Sequence, residues 1–319
     1  MQSEVQFALH HLVKMSYERG DKYRFDGFPG LAEALMGKIL EISELVYGYK
    51  WDVSYEGAEQ VQGDHVLDAL DGTRDLLKKI HSHPPLPTID GVRSAEFLTA
   101  VNTISEASLI FRNMIVTLDI NADYIAESHS VLVRELIVIL LNLPHRDFTT
   151  ELRHHALDIA EYLTRYYILE PEDPLYISLL QELDSTDRGA IITALRALSL
   201  TATRQEAVNR LQNIPLATIQ RVCDWLMIDD EDLRNACLDF LNFFTAVTDN
   251  VDTLVTSINV DGLVAQLVRL LMYGAIQLED RSARPHTAPS VPDKPPKLSP
   301  NIIEPMIQIT NDKEQSSAW

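Results

Sequence analysis

Apolar residues recur at helical spacing along most of this chain. Leu31, Leu35, Ile39, Ile42 and Val46 step by four, four, three and four, and Phe97, Val101, Ile104, Ser108, Phe111 and Ile115 by four, three, four, three and four. A stripe of this period lies on one face of an α-helix, so helices are predicted over 31–47 and along the 97–115 stripe. Val5 to Arg19 reads as an earlier helix stopped by Gly20, and Gly27, Pro29 and Gly30 mark the turn that follows. Two such helices form a hairpin over 1–48. Asn121 suits the N-cap of a helix running to Leu141, closed by Pro144. The pauseless run Leu136 to Leu141 marks that helix end as buried on most sides. Further helices are predicted at 149–169, 175–183, 188–200, 205–211, 216–227, 231–248 and 261–273, with Pro171, Pro174, Gly189 and Pro215 between them. Asp229-Asp230-Glu231-Asp232 places carboxylates at the positive end of one helix dipole.

Three of these helices repeat one signature, a small residue followed by leucine: Ala156-Leu157, Ala194-Leu195 and Cys237-Leu238. The leucines lie 38 residues apart (157 to 195) and 43 apart (195 to 238). Armadillo and HEAT repeats recur at about 40–47 residues. The fold expected is therefore all-α, an armadillo/HEAT-like helical solenoid, which characteristically offers a surface to partners. Two stretches fall outside the period. Residues 49–91 carry Gly57, Gly63, Gly72, Gly91 and Pro84-Pro85-Leu86-Pro87, with a short helix near Thr73 to Ile80. They read as an insertion or long connector packing partly on the array. Residues 277–319 hold seven of the fifteen prolines, between Pro285 and Pro305, and read as a disordered tail. The repeats proper occupy 92–276.

Charge narrows the partners. With 47 acidic against 27 basic residues the net charge is −20, so the chain by itself is a poor match for the phosphates of DNA or for an anionic membrane. Basic proteins, or basic segments of a larger assembly, fit better. Nothing at Met1-Gln2-Ser3-Glu4 resembles a signal peptide, and the longest apolar run is far short of the roughly 20 residues of a membrane span. A soluble, intracellular chain is expected. Cys223 and Cys237 form no metal-type pair and read as buried free thiols, a single disulfide being the other reading.

The search for chemistry returns little. Asp119-Ile-Asn121-Ala-Asp123 opens like a calcium loop but has Tyr124 and Ser130 where glycine and glutamate are required. The pairs His10-His11 and His154-His155 diverge by about 100° on a helix, and His81 and His83 have no cysteine nearby. No phosphate-cradling loop, dinucleotide fingerprint or nucleophile elbow occurs. No metal, cofactor or small-molecule substrate is expected, and no catalytic residue is nominated. Two places could touch a partner. The turn Arg19 to Asp26 interleaves cations with aromatics, with Lys22 and Arg24 as its candidate contacts, unless its aromatics simply plug the helix pair. Arg112-Asn113 lies on the stripe helix, where an asparagine can bind an extended peptide backbone or fix a local turn.

Five ordered blocks carry a resemblance: Phe7-Ala-Leu-His-His-Leu-Val-Lys-Met-Ser, Glu18-Arg-Gly-Asp-Lys-Tyr, Phe28-Pro-Gly-Leu-Ala-Glu, Glu106-Ala-Ser-Leu-Ile-Phe-Arg-Asn-Met and His155-Ala-Leu-Asp-Ile-Ala-Glu. The chain resembles the armadillo-like core of the ARID-containing accessory subunit of the fungal RSC complex, a SWI/SNF-class chromatin remodeller. The resemblance implies a nuclear, non-catalytic scaffold whose partners are the remodeller's other subunits, the ATPase being one of those. The family pattern places an ARID DNA-binding domain before this core and an RFX-type winged helix after it. On this resemblance the chain is expected to lack room for the first, and Ser316-Ser317-Ala318-Trp319 looks like the entrance to the second, cut short, as in a fragment or truncated gene model. Direct DNA contact is accordingly not expected. The competing reading is a cytoplasmic armadillo or HEAT adaptor for basic peptides or a partner enzyme.

Overall fold

The computed structural model describes residues 2–17, 23–57, 63–91, 93–203, 211–257 and 262–272. The chain divides into two compact units, Met1–Gln266 and Leu267–Trp319. The described part of the second, 267–272, is helical. The expected tail over 277–319 and the helix expected at 205–211, apart from Leu211, lie outside the described residues.

The first unit is an all-α solenoid. In chain order its helices are α1 (Gln2–Ser16), α2 (Leu31–Leu40), α3 (Ile42–Tyr47), α4 (Leu76–His81), α5 (Ala95–Thr117), α6 (Asp119–Ser128), α7 (Ser130–Leu141), α8 (Asp147–Leu163), α9 (Pro174–Glu182), α10 (Arg188–Thr201), α11 (Leu216–Trp225), α12 (Glu231–Thr245) and α13 (Thr248–Ser257). Long helices stack in one row, α5 on α8, α8 on α10 and α10 on α12. A second row begins with α7 on α9, and α7, α9 and α11 each pack across onto the long helix that follows. One helix from each row makes a repeat. The two helices expected over 1–48 both lie on α5.

The signature leucines seed this stacking. Ala156, Leu157, Ala194 and Leu195 are all buried, because small residues let neighbouring backbones approach while leucine fills the seam. The third pair is shifted by one residue: Ala236 and Cys237 are buried, whereas Leu238 is half-exposed. Leu136 to Leu141 are at most 3% exposed, as the unbroken run predicts. Both cysteines are free and buried, and burial pushes their thiols up to about 11 for Cys223 and about 12 for Cys237.

Three helix boundaries differ from expectation, each for a local reason. The helix expected over 31–47 breaks at Glu41, where Glu44 N–H bonds back only three residues to the Glu41 carbonyl. The tightened turn turns Leu40 and Ile42 both inward. The helix expected from Asn121 to Leu141 is two helices broken at His129, and Asn121 is no cap. It is 1% exposed inside α6, where its side chain accepts from Phe25 N–H (2.9 Å) and donates to the carbonyls of Tyr23 (3.1 Å) and Met114 (2.9 Å). One buried amide thus clasps the loop before α2 to the array. The helix expected through Thr248 stops at Thr245, and Asn250 from α13 donates to the Phe244 carbonyl at its end (3.1 Å).

The stretch 49–91 also holds a two-stranded parallel pair that the sequence did not announce, β1 (Asp52–Ser54) with β2 (Val66–Asp68). Its anchor on the array is Glu135 of α7, 6% exposed. The Glu135 carboxylate accepts from the Thr73 backbone N–H and, at 2.9 Å, from the Thr73 hydroxyl. Burial, only partly offset by those bonds, pushes the carboxyl up to about 7 from 4.5. The folded chain therefore holds this proton more tightly than the unfolded one. The resulting stability is present in full below about pH 4.5 and lost as pH rises through about 7. Comparing the urea midpoints of the wild type and Glu135→Gln from pH 4.5 to 8 checks this. The wild type is expected to lose stability relative to the variant across that window, by on the order of 3 kcal/mol.

Candidate interaction surfaces

The row of long helices is stapled by polar pairs that follow the helical period. On α5 and α8, Ser105 donates to Glu151 (2.6 Å), His155 meets Ser108 (3.2 Å) and Arg112 Nε donates to Asp158 (2.8 Å). Each pair lies about one turn beyond the last on both helices, so α5 and α8 run parallel, as stacked repeats require. Beyond the end of α5, the Tyr162 hydroxyl of α8 donates to Asp119 at the start of α6 (2.5 Å). Burial, followed by neighbouring Glu151, Arg112, Asp158 and His154 with opposing effects, lowers the net pKa of His155.

A second set of staples uses helix caps. Asp173, Asp187 and Asp230 cap α9, α10 and α12 by accepting from Leu175, Gly189 and Leu233 N–H. Each also pairs with a basic side chain from the preceding helix of its own row: Arg134 with Asp173 (3.3 Å), the His154 ring with Asp187 (2.7 Å) and Arg188 with Asp230. A cap alone contributes roughly 1 kcal/mol, and here it also fixes where the next repeat begins. Gly189 makes room for one of these pairs, since a Cβ there would sit 3.2 Å from the His154 ring.

The residues proposed from sequence take varied positions. Lys22 lies outside the described residues. Arg24 forks onto Asp26, with Nε at 2.9 Å and Nη2 at 2.5 Å. Arg112 spans Asp158 and Asn113. Asn113 is 2% exposed and donates to Ser16 Oγ (3.1 Å), tying α1 to α5. Arg112 and Asn113 thus meet in one internal network, while Arg24 belongs to a separate turn.

Among the described residues, three open surfaces are of note. Beyond the α5–α8 seam, Arg165 lies over the rings of Tyr162 (4.0 Å) and Tyr166 (5.7 Å), and Ile120 and Ile168 are exposed in the adjoining segments. Tyrosine and arginine dominate binding hot spots. At the edge formed by the α7–α8 and α9–α10 turns, a polar cavity of about 570 Å³ has the Arg153–Glu182 pair (2.5 Å) in its wall. At the first end of the array, an apolar groove of about 600 Å³ separates α1 from α2. The period does not flag it, because α1 shows one face to α5 and another to open space. The small residues Ala8, Ala34 and Gly37 were its available signal.

Among the described residues no group of three or more His, Cys, Asp or Glu could hold a metal ion. No described helix is long and apolar enough to cross a membrane.

No protein-family model matches the chain. A curated relative is the chromatin structure-remodeling complex subunit rsc9 of Schizosaccharomyces pombe, 26% identical over 277 residues. The match covers 85% of this chain and 29% of that protein, so the chain spans less than a third of its relative's length. The similarity supports a relation to the RSC complex subunit family.

Proposed function

We propose that the chain is a non-catalytic scaffold module of a nuclear, SWI/SNF-type (RSC-like) ATP-dependent chromatin remodeller, from the ARID/RFX accessory-subunit family. The observation that carries this is the similarity to rsc9 along 85% of the chain. The stacked architecture supports it: repeats bury one another's apolar faces and leave long outer surfaces for other subunits. On this proposal the ATP chemistry belongs to a partner subunit. Transcription regulation would follow from the assembly the chain helps to hold, and contact with DNA would fall to other parts of that assembly.

The adaptor reading calls for a run of exposed asparagines along a groove. Asn113 is buried, which removes it from any such run.

The test is affinity purification of the tagged chain from nuclear extract, followed by mass spectrometry. Remodeller subunits are expected in stoichiometric amounts. Their absence beside abundant bait contradicts the proposal.

A further inference from the structure

The surface beyond the α5–α8 seam joins two elements through their side chains. The Tyr162 hydroxyl donates to Asp119 (2.5 Å), and the Tyr166 hydroxyl is hydrogen-bonded to Asp123. The end of α8 and the turn after it are therefore tied to the outer face of α6. Arg165 is exposed, lies over both tyrosine rings and donates through Nε to the Tyr162 carbonyl (2.8 Å). Ile120 on α6 is 40% exposed, and Ile168, two residues past Tyr166, is 43% exposed. Tyrosine, arginine and aliphatic side chains thus reach the surface together, and tyrosine and arginine are enriched among residues that carry binding energy.

Charge decides what fits there. α6 carries Asp119, Asp123 and Glu127, all exposed, and no lysine or arginine. Residues four apart on a helix form one row, with steps of about 6 Å. Like charges at this spacing repel and weaken the helix. The helix dipole offsets that cost at Asp119, in the first turn, and adds to it at Glu127, beside the C-terminus. No basic residue stands in that last turn. Arg165 can cancel at most one of the three charges, so the row still calls for cations from outside.

We propose that this surface receives a basic amphipathic helix of a partner protein, with lysine or arginine at i, i+4 and i+8 along the α6 row and aliphatic side chains packed on Ile120 and Ile168. A helix lying along α6 repeats the row's spacing step for step. An extended strand, at about 6.6–6.8 Å per two residues, falls out of step with it. The net charge of −20 draws a basic segment to the chain, and the row gives that segment a place and a register. The inference rests on the scaffold reading only in making the partner another subunit of the assembly.

The test titrates three fluorescein-labelled helical peptides with the whole chain and follows fluorescence anisotropy. The first carries lysines at i, i+4 and i+8 and leucines at i+1 and i+5. The second has the same composition with its lysines spread around the helix, and the third has glutamates in place of the lysines. The first is expected to bind at least about tenfold more tightly than either of the others. Asp123→Lys and Glu127→Lys should each weaken it by about tenfold, through like-charge repulsion, while circular dichroism holds because both positions are exposed. Asp239→Lys makes the same change of charge at an exposed position on α12. Salt screening should keep its effect within about twofold. Equal binding of the first two peptides overturns the proposal, and so does an equal loss from Asp239→Lys, because either result reduces the attraction to net charge. Failure of the first peptide to bind overturns it as well. Purification of the tagged chain from nuclear extract reports separately on the scaffold reading. Remodeller subunits recovered beside failed peptide binding sink this surface alone. The expected peptide pattern without any remodeller subunit sinks the scaffold assignment alone.

Discussion

Replacing Arg153 with methionine is expected to destabilise the array by about 3–5 kcal/mol at neutral pH. Arg153 is 7% exposed and Glu182 is 4% exposed. The guanidinium donates to Glu182 (2.5 Å), to the Leu143 carbonyl (2.9 Å) and to the Leu141 carbonyl. One side chain thus closes the open end of α7 and ties α8 to α9. Methionine keeps most of the volume but leaves a buried carboxylate and two carbonyls without their donor. Burial already pushes the Glu182 carboxyl up, and Arg153 opposes that shift. Without the arginine its folded value rises further above the unfolded one. The variant's deficit should therefore shrink as pH falls from neutrality toward about 4.5, because the folded carboxyl takes up its proton before the unfolded one does, and should change no further below that. Adding Glu182→Leu should recover about half the loss, because the charge is gone while the two carbonyls still lack a partner. Chemical denaturation of the two variants at pH 7 and pH 5 measures all of this. An Arg153→Met chain as stable as wild type at pH 7 would mean that the pair is not buried as described.

Leu195→Ala is expected to cost about 2–5 kcal/mol. Leu195 is fully buried in α10, the helix that joins α8 to α12. In a stacked array stability is carried by neighbouring interfaces, so a cavity here weakens the coupling of both sides at once. The urea transition should broaden or split, with the repeats beyond α10 melting first. Leu238→Ala, the corresponding change in the third copy of the signature, should cost about 1 kcal/mol or less, because Leu238 is half-exposed and Cys237 takes the inward position. A larger loss from Leu238→Ala than from Leu195→Ala would contradict the stacking.

That contrast shows how far the sequence could be read. Apolar spacing reports which face of a helix is buried, so it located α5, the run at 136–141 and the central pairs of α8 and α10. It does not report phase relative to a neighbour, and the third pair was placed one residue late. Breaks without proline or glycine, at Glu41 and His129, leave the apolar count intact and so leave no mark. Asn121 looked like a cap because caps and buried clasps use the same amide, and only the loop returning at Tyr23 and Phe25 tells them apart. Arg112 was legible as a polar residue on a stripe helix, but Asp158, 46 residues away, decides what it does.

The central claim is that this array works inside a remodelling assembly. Gradient sedimentation of nuclear extract containing the tagged chain tests it most directly, with each fraction assayed for DNA-stimulated ATPase activity. The account predicts that the chain travels with the heavy ATPase peak and leaves it only when the assembly is dissociated. A chain that sediments by itself, near its own 36.0 kDa, with none in the ATPase fractions, would contradict it.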